Sequence, residues 1–330
     1  MAGRLRIARA YTNRVPNLGD TGEFGVISRL TAGRALGPEI HLGPGDDAAV
    51  VAASDGRVVV STDMLVQDRH FRLDWSLPVD IGRKAVAQNA ADIEAMGGRV
   101  TALVVAVGAP VETDVAFLEQ LNEGMWAEAA AIQASIAGGD LVASRELVIS
   151  VTALGNLQGR APVTRSTAAA GDTVAVCGAL GTSAAGFRLW QEEIDEFPEL
   201  RRVHLVPAPP YGQGPVAALA GATAMTDVSD GLLADLRHIA ESSAVHIDLR
   251  SPNLEVYLPP LAGAAGLLGA DPWEWILTGG ENHALVATFP GTVPAGWTVV
   301  GGVRAGIPGE STVTVDGRPW TKQAGWDSFA

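Results

Sequence analysis

The stretch "VVVSTDMLVQDRHF" (residues 58–71) begins as a buried β-strand and then turns polar. Val58, Val59 and Val60 supply the apolar run, and Ser61, Thr62 and Asp63 read as its end. His70 follows seven residues after Asp63. A strand that closes on two hydroxyls and a carboxylate offers oxygen ligands, by side chain or backbone carbonyl, from a rigid platform. One such ending could be a turn, but this chain repeats the pattern.

"GPGDDAAV" places Asp46 and Asp47 in a Gly-Pro-Gly turn, and "QNAADIEAMG" carries Asp92 within a helix. "AGGDL" sets Asp140 behind a double glycine that should start a strand. "TDVSDGLLADL" offers Asp227 and Asp230 around a helix N-terminus, with Ser229 as its cap. Glycine-flanked aspartates can be plain turn formers whose side chains bond their own backbone. Five such motifs, several at strand ends where α/β sites form, point instead to a metal site. Converging carboxylates stay ionised only with cations between them. Hard oxygen donors without a soft cluster select Mg²⁺ or Mn²⁺, and Mg²⁺ shares its shell with phosphate, so a phosphorylated substrate is implied.

The chain has 330 residues, 47% hydrophobic and 18% charged, enough for a sizeable core and, by length, two domains. Short apolar runs alternating with Ala-rich helical stretches indicate an α/β or α+β fold. A formal charge of −14 argues against nucleic acid as a partner. The single Cys177 rules out an intramolecular disulfide and fits a reducing cytoplasm. The N-terminal stretch lacks an apolar signal-like segment, and the apolar run at 100–111 is too short to span a membrane. A cytoplasmic protein is expected.

Residues 1–22 read as a weakly structured lead before a helix carrying "EFGVISRLTAG". Strands are expected at 48–53, 57–62, 101–107 and 147–155, with helices at 80–98 and 115–135. The Gly/Pro-rich segment 155–172 marks the boundary between domains 1–154 and 155–330. A second series follows: strand "TVAVCGAL", a helix from Ser183, strand "ATAMTD", helix "GLLADLRHIAESS" and strand "HIDL".

Other chemistries fail. The only lysines, Lys84 in "GRKAV" and Lys322 in "WTKQA", sit outside any P-loop. Protein-kinase signatures are missing, and "GTSAAG" misses the nucleophile-elbow spacing by one residue. "GPGDDA" fits a dinucleotide-binding pattern, but two carboxylates beside a pyrophosphate contradict it. The histidines show no zinc-like pairing.

Taken in order, "GDDAAV", "STDMLV…HF", "DIEAMG", "GGD", "DVSDGLLADL" and "GGEN" resemble the thiamine-monophosphate kinase family, from about residue 22 to residue 329. Its superfamily includes aminoimidazole ribonucleotide synthetase and selenophosphate synthetase. The resemblance implies two α/β domains, with the N-terminal sheets pairing across a homodimer. It implies several Mg²⁺ ions on Asp47, Ser61, Thr62, Asp63, Asp92, Asp140, Asp227 and Asp230. It also implies ATP contacts at Gly139, Arg165 and Ser229, and thiamine phosphate contacts at His70, Glu281 and Trp326. Three departures stand out: Asn282 and His283 where many members have Asp and Tyr, "VQDRHF" for V-E-G-x-H-F, and Leu141 for Thr. The implied reaction is direct in-line transfer from ATP to thiamine phosphate without a dedicated base. The alternatives are another ATP-dependent member of the superfamily, or a non-catalytic nucleotide-binding regulator. Cys177 in mid-strand and a chain ending "GWDSFA" disfavour the cysteine-dependent members.

Overall fold

The computed structural model describes residues 16–44, 49–306, 313–322 and 325. Two short helices, α1 (Leu18–Thr21) and α2 (Glu23–Thr31), precede a small antiparallel pair, β1 (Ile40–Leu42) with β2 (Val50–Val51). There follow β3 (Val59–Val66), α3 (Pro78–Ala95), β4 (Arg99–Ala109), α4 (Val115–Ala131), β5 (Ser135–Ala143) and β6 (Val148–Asn156). These four strands form one sheet in the order β3-β6-β4-β5, with β4 and β5 parallel and the other pairs antiparallel.

The remainder begins with β7 (Thr173–Cys177), α5 (Thr182–Gln191), α6 (Pro198–Leu205) and α7 (Gln213–Leu219). It continues through β8 (Ala224–Val228), α8 (Leu232–Ser243), β9 (Val245–Leu249), α9 (Ser251–Leu254), α10 (Pro259–Leu268) and α11 (Pro272–Thr278). The last strands are β10 (Ala284–Phe289), β11 (Thr298–Ala305), β12 (Val313–Val315) and β13 (Arg318–Pro319). A second sheet runs β13-β12-β9-β11-β7-β10-β8 and is antiparallel except where β12 meets β9. The fold is mixed α/β, as the alternation of strand and helix patterns predicts.

Side-chain parity divides the core. In β7, Val174 and Val176 face the helices α5, α8, α10 and α11, whereas Ala175 and Cys177 join Met225, Leu285 and Phe289 on the opposite face. Ala95 of α3 and Ala217 of α7 close over that second face. The first sheet is covered on one side by α3 and α4 through Ile81, Val86, Ile93, Leu118 and Leu121. Its other side carries exposed Val60, Met64, Val104 and Val142.

Three expectations change. The strand read as ending at Ser61-Thr62-Asp63 runs on to Val66, because Met64, Leu65 and Val66 keep pairing with Ser150, Ile149 and Val148 of β6. Adjacent strand residues face opposite ways, so Ser61 and Asp63 point toward α3 while Thr62 points to the uncovered face. The Gly138-Gly139 pair lies inside β5 rather than ahead of it. A Cβ on Gly139 would come within 1.9 Å of the Val105 carbonyl oxygen, so close pairing to β4 requires glycine there.

Helices α3 and α4 cross at a reciprocal pair of glycines. A Cβ on Gly82 would meet the Leu121 carbonyl oxygen at 2.0 Å, and one on Gly124 would meet the Val79 carbonyl oxygen at 2.0 Å. Backbone cannot yield as a flexible side chain does. Gly82→Ala is therefore expected to destabilise the protein by about 1–3 kcal/mol or more in urea unfolding, despite its better helix propensity. Gly266→Ala in α10, where a Cβ meets nothing within 4 Å, is the control and should be neutral or stabilising.

Candidate active site

A cleft of about 1000 Å³ opens where α3 meets the second sheet, lined from both halves of the chain. One end is acidic. Asp63 enters from β3, its backbone N–H donating to Asn89 Oδ1 at 2.9 Å, while Asn89 Nδ2 donates to the Ala85 carbonyl at 2.8 Å. Ser61 Oγ donates to Asp92 Oδ2 at 2.5 Å. These bonds fix β3 on α3, because Asn89 and Asp92 lie three apart on one helical face. Asp227, on edge strand β8, shares the Met225 face that looks toward α3 and accepts from or ion-pairs with His283 Nδ1 at 3.0 Å.

Asp230 precedes α8. Ser229 is not its cap: Gly231, with φ +126°, caps the helix, and Asp235 Oδ2 accepts the backbone N–H groups of Asp230 and Gly231, both at 3.1 Å. A carboxylate one turn into the helix thus does what a capping hydroxyl would do. Ser229 lines the cleft, and its carbonyl accepts the Glu281 N–H at 2.7 Å.

The carboxylates feel one another. Burial, then the charges of Asp227 and Asp63, push Asp92 up to about 7. Burial, then Asp227 and Asp230, lift Asp235 to about 7 as well. Asp63 and Asp230 are raised for the same reasons. Burial opposes charging His283, but its hydrogen bond to Asp227 and that carboxylate's charge outweigh it, so its pKa rises.

The other end of the cleft holds His70 and Glu281. Val66 N–H donates to His70 Nδ1 at 3.0 Å, so the neutral ring carries its proton on Nε2 as a free-facing donor. Burial and the Lys84 ammonium outweigh the attraction of Glu281 and lower the His70 pKa, which keeps the ring neutral. Glu281 adopts φ +57° and His283 φ +51°, two left-handed non-glycine residues held by N–H bonds to Ser229 and Val228. Lys84, 2% exposed on α3, lies 3.1 Å from Glu281 Oε1. Although burial disfavours its charge, Lys84 and His204 hold Glu281 down to about 2.

An aromatic wall completes this end. Trp75 stacks on Trp190 with centroids 5.7 Å apart, and Phe187 lies 6.0 Å from Trp75 and 5.1 Å from His204. Arg72 covers Trp75 at 4.5 Å and Arg201 covers Trp190 at 3.6 Å. The column joins the loop after β3 to α5 and α6.

The structure therefore brings Asp63, Asp92, Asp227, Asp230, Ser229, His70 and Glu281 to one cleft, with Ser61 bonded to its rim. It does not bring Thr62, whose Oγ1 donates to the Val151 carbonyl at 3.0 Å on the other face of the sheet. Nor does it bring Gly139 and Asp140, which lie on edge strand β5, with Asp140 Oδ1 accepting the Leu141 N–H at 2.9 Å. Arg165 is exposed beside the cleft, bonded through Nε to Thr226 Oγ1 at 3.2 Å, and its charge reaches Asp230. Asp47 and Trp326, with Asp46, lie outside the described residues.

Asn282 turns away from the cleft. Buried, it accepts from Thr182 Oγ1 and Ser183 N–H at 3.2 and 3.3 Å and donates to the Gly279 carbonyl at 3.2 Å. It ties this loop to the start of α5, where an amide serves as well as a carboxylate. Sequence reasoning missed Lys84, His204, His283 and Asp235. Lys84 did leave a signal: it is one of only two lysines in the chain.

The family model "AIR synthase related protein, N-terminal domain" matches residues 45–157. The thiamine-monophosphate kinase of Mycobacterium tuberculosis (strain ATCC 25618 / H37Rv) is 62% identical over 314 residues, covering 95% of this chain and 93% of that protein. The thiamine-monophosphate kinase of Corynebacterium glutamicum is 45% identical over 326 residues and covers 95% of each. The solved structure "AaThiL complexed with AMPPCP and TMP" aligns with a TM-score of 0.73 at 29% identity, over 96% of this chain and 99% of that one. Hydrogenase maturation protein HypE in complex with ATP aligns at 0.66 with 20% identity over 82% of each chain, a likeness of fold alone. With more than half its residues shared along nearly its whole length with one such enzyme, the chain belongs to the thiamine-monophosphate kinase family.

Proposed function

We propose that the protein transfers the γ-phosphoryl group of ATP to thiamine phosphate, giving thiamine diphosphate and ADP. The observation that carries this is one cleft with converging aspartates at one end and a neutral imidazole, an ionised carboxylate and an aromatic wall at the other. A phosphate oxygen of thiamine phosphate forms the new bond to the γ-phosphorus as the bond to the β-phosphate bridging oxygen breaks. The attacking monoester is largely ionised near neutrality, with its second pKa at about 6, so positioning matters more than a base. His70 Nε2–H can donate to the substrate, and the ionised Glu281 suits its cationic thiamine portion. Trp326 belongs to the same pocket in this reading. Ser229 and the nearby Arg165 suit phosphate oxygens of ATP, a guanidinium offering a two-pronged donor.

The donor set fits Mg²⁺. Asp63, Asp92, Asp227 and Asp230 are hard oxygen ligands that raise one another's proton affinity, a repulsion that cations relieve. Among the described residues no three acidic or imidazole groups close a cage around an ion. Bound by these aspartates, Mg²⁺ would neutralise charge developing on the transferred phosphoryl group. Ser61 Oγ orients the Asp92 carboxylate through its hydrogen bond, and Ser61, Asp47, Thr62, Gly139 and Asp140 remain assigned to metal and ATP by the family resemblance.

We further assign residues 1–154 and 155–330 as the two domains, and a cytoplasmic location. No described helix is long and apolar enough to cross a membrane. A second copy is the proposed partner for the uncovered face of the first sheet, where Val60, Met64 and Val142 are 59%, 53% and 52% exposed. Apolar side chains left exposed on one face of a sheet suit such an interaction surface. Asp140 lies on this face, which accounts for its separation from the cleft within one chain.

Three measurements test these readings. Asp63→Asn should abolish thiamine-phosphate-dependent ADP release at saturating Mg²⁺ while keeping a cooperative unfolding transition. Near-normal turnover would remove Asp63 from the site. Light scattering should give twice the mass of one chain, and Met64→Asp should shift it to a single chain; a monomeric wild type sinks the pairing. The third concerns pH. An aspartate whose folded pKa lies near 7, above its unfolded value of 3.8, adds stability fully present below 3.8 and lost as pH rises through 7. Metal-free protein should therefore lose melting temperature progressively between about pH 4 and 7 and level off above that, and Mg²⁺ should restore it most at and above the upper end of that range. Asp92→Asn should flatten both effects.

A further inference from the structure

We infer that Lys84 is a positioning residue of the thiamine phosphate pocket, its ammonium clamping His70 and Glu281 together across the cleft. The inference rests on the function proposed above. Lys84 Nζ donates to the His70 carbonyl oxygen at 2.8 Å and reaches the two Glu281 carboxylate oxygens at 3.1 and 3.2 Å. His70 belongs to the loop after β3, and Glu281 to the turn between α11 and β10. One side chain thus fixes the separation of the two substrate contacts that opposite halves of the chain supply.

The ammonium has three donors and these three acceptors, so its hydrogen-bonding capacity is met without substrate. The Lys84 side chain is 2% exposed, against 34% for Glu281, which leaves the carboxylate open to the cleft. His204 Nδ1 lies 3.4 Å from Glu281 Oε2 and also contacts Ser183 Oγ at 3.2 Å. Burial and the Lys84 charge push His204 down to about 4, so at neutral pH it touches Glu281 as a neutral ring. Among the described ion pairs of Glu281, Lys84 supplies the permanent positive charge. Stability alone accounts poorly for a charge in this place, because apolar side chains of similar volume commonly replace buried ion pairs at little cost.

Two measurements on the full chain test the clamp. Urea unfolding of wild type, Lys84→Met, Glu281→Gln and the double variant should show coupled midpoints, the double losing clearly less than the two singles together. Additive midpoints overturn the clamp, whatever the protein's activity. In the kinase assay, Lys84→Met should raise the KM for thiamine phosphate by on the order of tenfold or more while the KM for ATP stays put. Lys84→Met added to Glu281→Gln should bring less further loss than it does in the wild type, since part of its effect runs through that carboxylate. Lys84→Gln, whose amide can still donate to the His70 carbonyl, should fold where Lys84→Met fails and give a smaller rise. An active wild type with an unmoved thiamine phosphate KM in either lysine variant overturns the positioning role alone. Equal rises for both substrates do the same. A wild type without thiamine-phosphate-dependent ADP release overturns the functional reading, and this role with it.

Discussion

Helix α3 is buried almost all round yet carries Lys84, Gln88, Asn89 and Glu94 among its buried residues, with Asp92 half-buried beside them. A helix in that position must find a partner for every polar group, since each unpaired one costs about 1–3 kcal/mol. The partners it finds set the molecule's geometry. Asn89 and Asp92 fasten β3, Lys84 reaches Glu281, and Glu94 accepts the backbone N–H groups of Gly212 and Gly214 at the start of α7, both at 2.8 Å. Three of these bonds run to the second half of the chain. The cleft is therefore a consequence of how α3 is satisfied.

The neighbouring helix adds a second tie of the same kind. Glu128 of α4, 3% exposed, accepts from Arg83 Nε at 2.8 Å and from the Tyr211 hydroxyl at 2.7 Å. Tyr211 sits in the connection leading into α7, so this bond and the Glu94 pair pin one short segment from two helices. The Gly82–Gly124 crossing matters here, because it brings the axes of α3 and α4 close enough for both carboxylates to reach that segment. A small-residue contact deep in the first half thus governs the relative placement of residues far apart in sequence.

Much of this was legible in the sequence, and what escaped did so for physical reasons. Asp63, Asp92, Asp227 and Asp230 stood out because carboxylates beside apolar runs have no packing reason to be there. Thr62 lies on the opposite face of β3 from Ser61 and Asp63, a separation that a strand's period of two already contains. Strand continuity through Val66 depended on pairing with β6, some ninety residues away, which no local pattern contains. Lys84 and Glu281 are 197 positions apart, and His283 and Asp227 are 56, so neither pair leaves a spacing to read. Which face of the sheet Asp140 occupies follows from β5 pairing parallel to β4, a pairing the local motif does not contain.

His283 brings the two ends of the cleft into one electrostatic problem. The chain is strongly acidic, and its proposed substrates are anions that must approach carboxylates already repelling one another. Lys84 offers little attraction at long range, because Glu281 neutralises it at contact distance. His283 differs: it lies against Asp227 in the acidic end, and the hydrogen bond to that carboxylate and its charge raise the His283 pKa despite burial. A protonated ring would offset one aspartate charge until a cation took over, and then be pushed toward neutrality by that cation. A tyrosine hydroxyl in this place would stay neutral near pH 7, whereas His283 is a group whose charge can follow that of its neighbours.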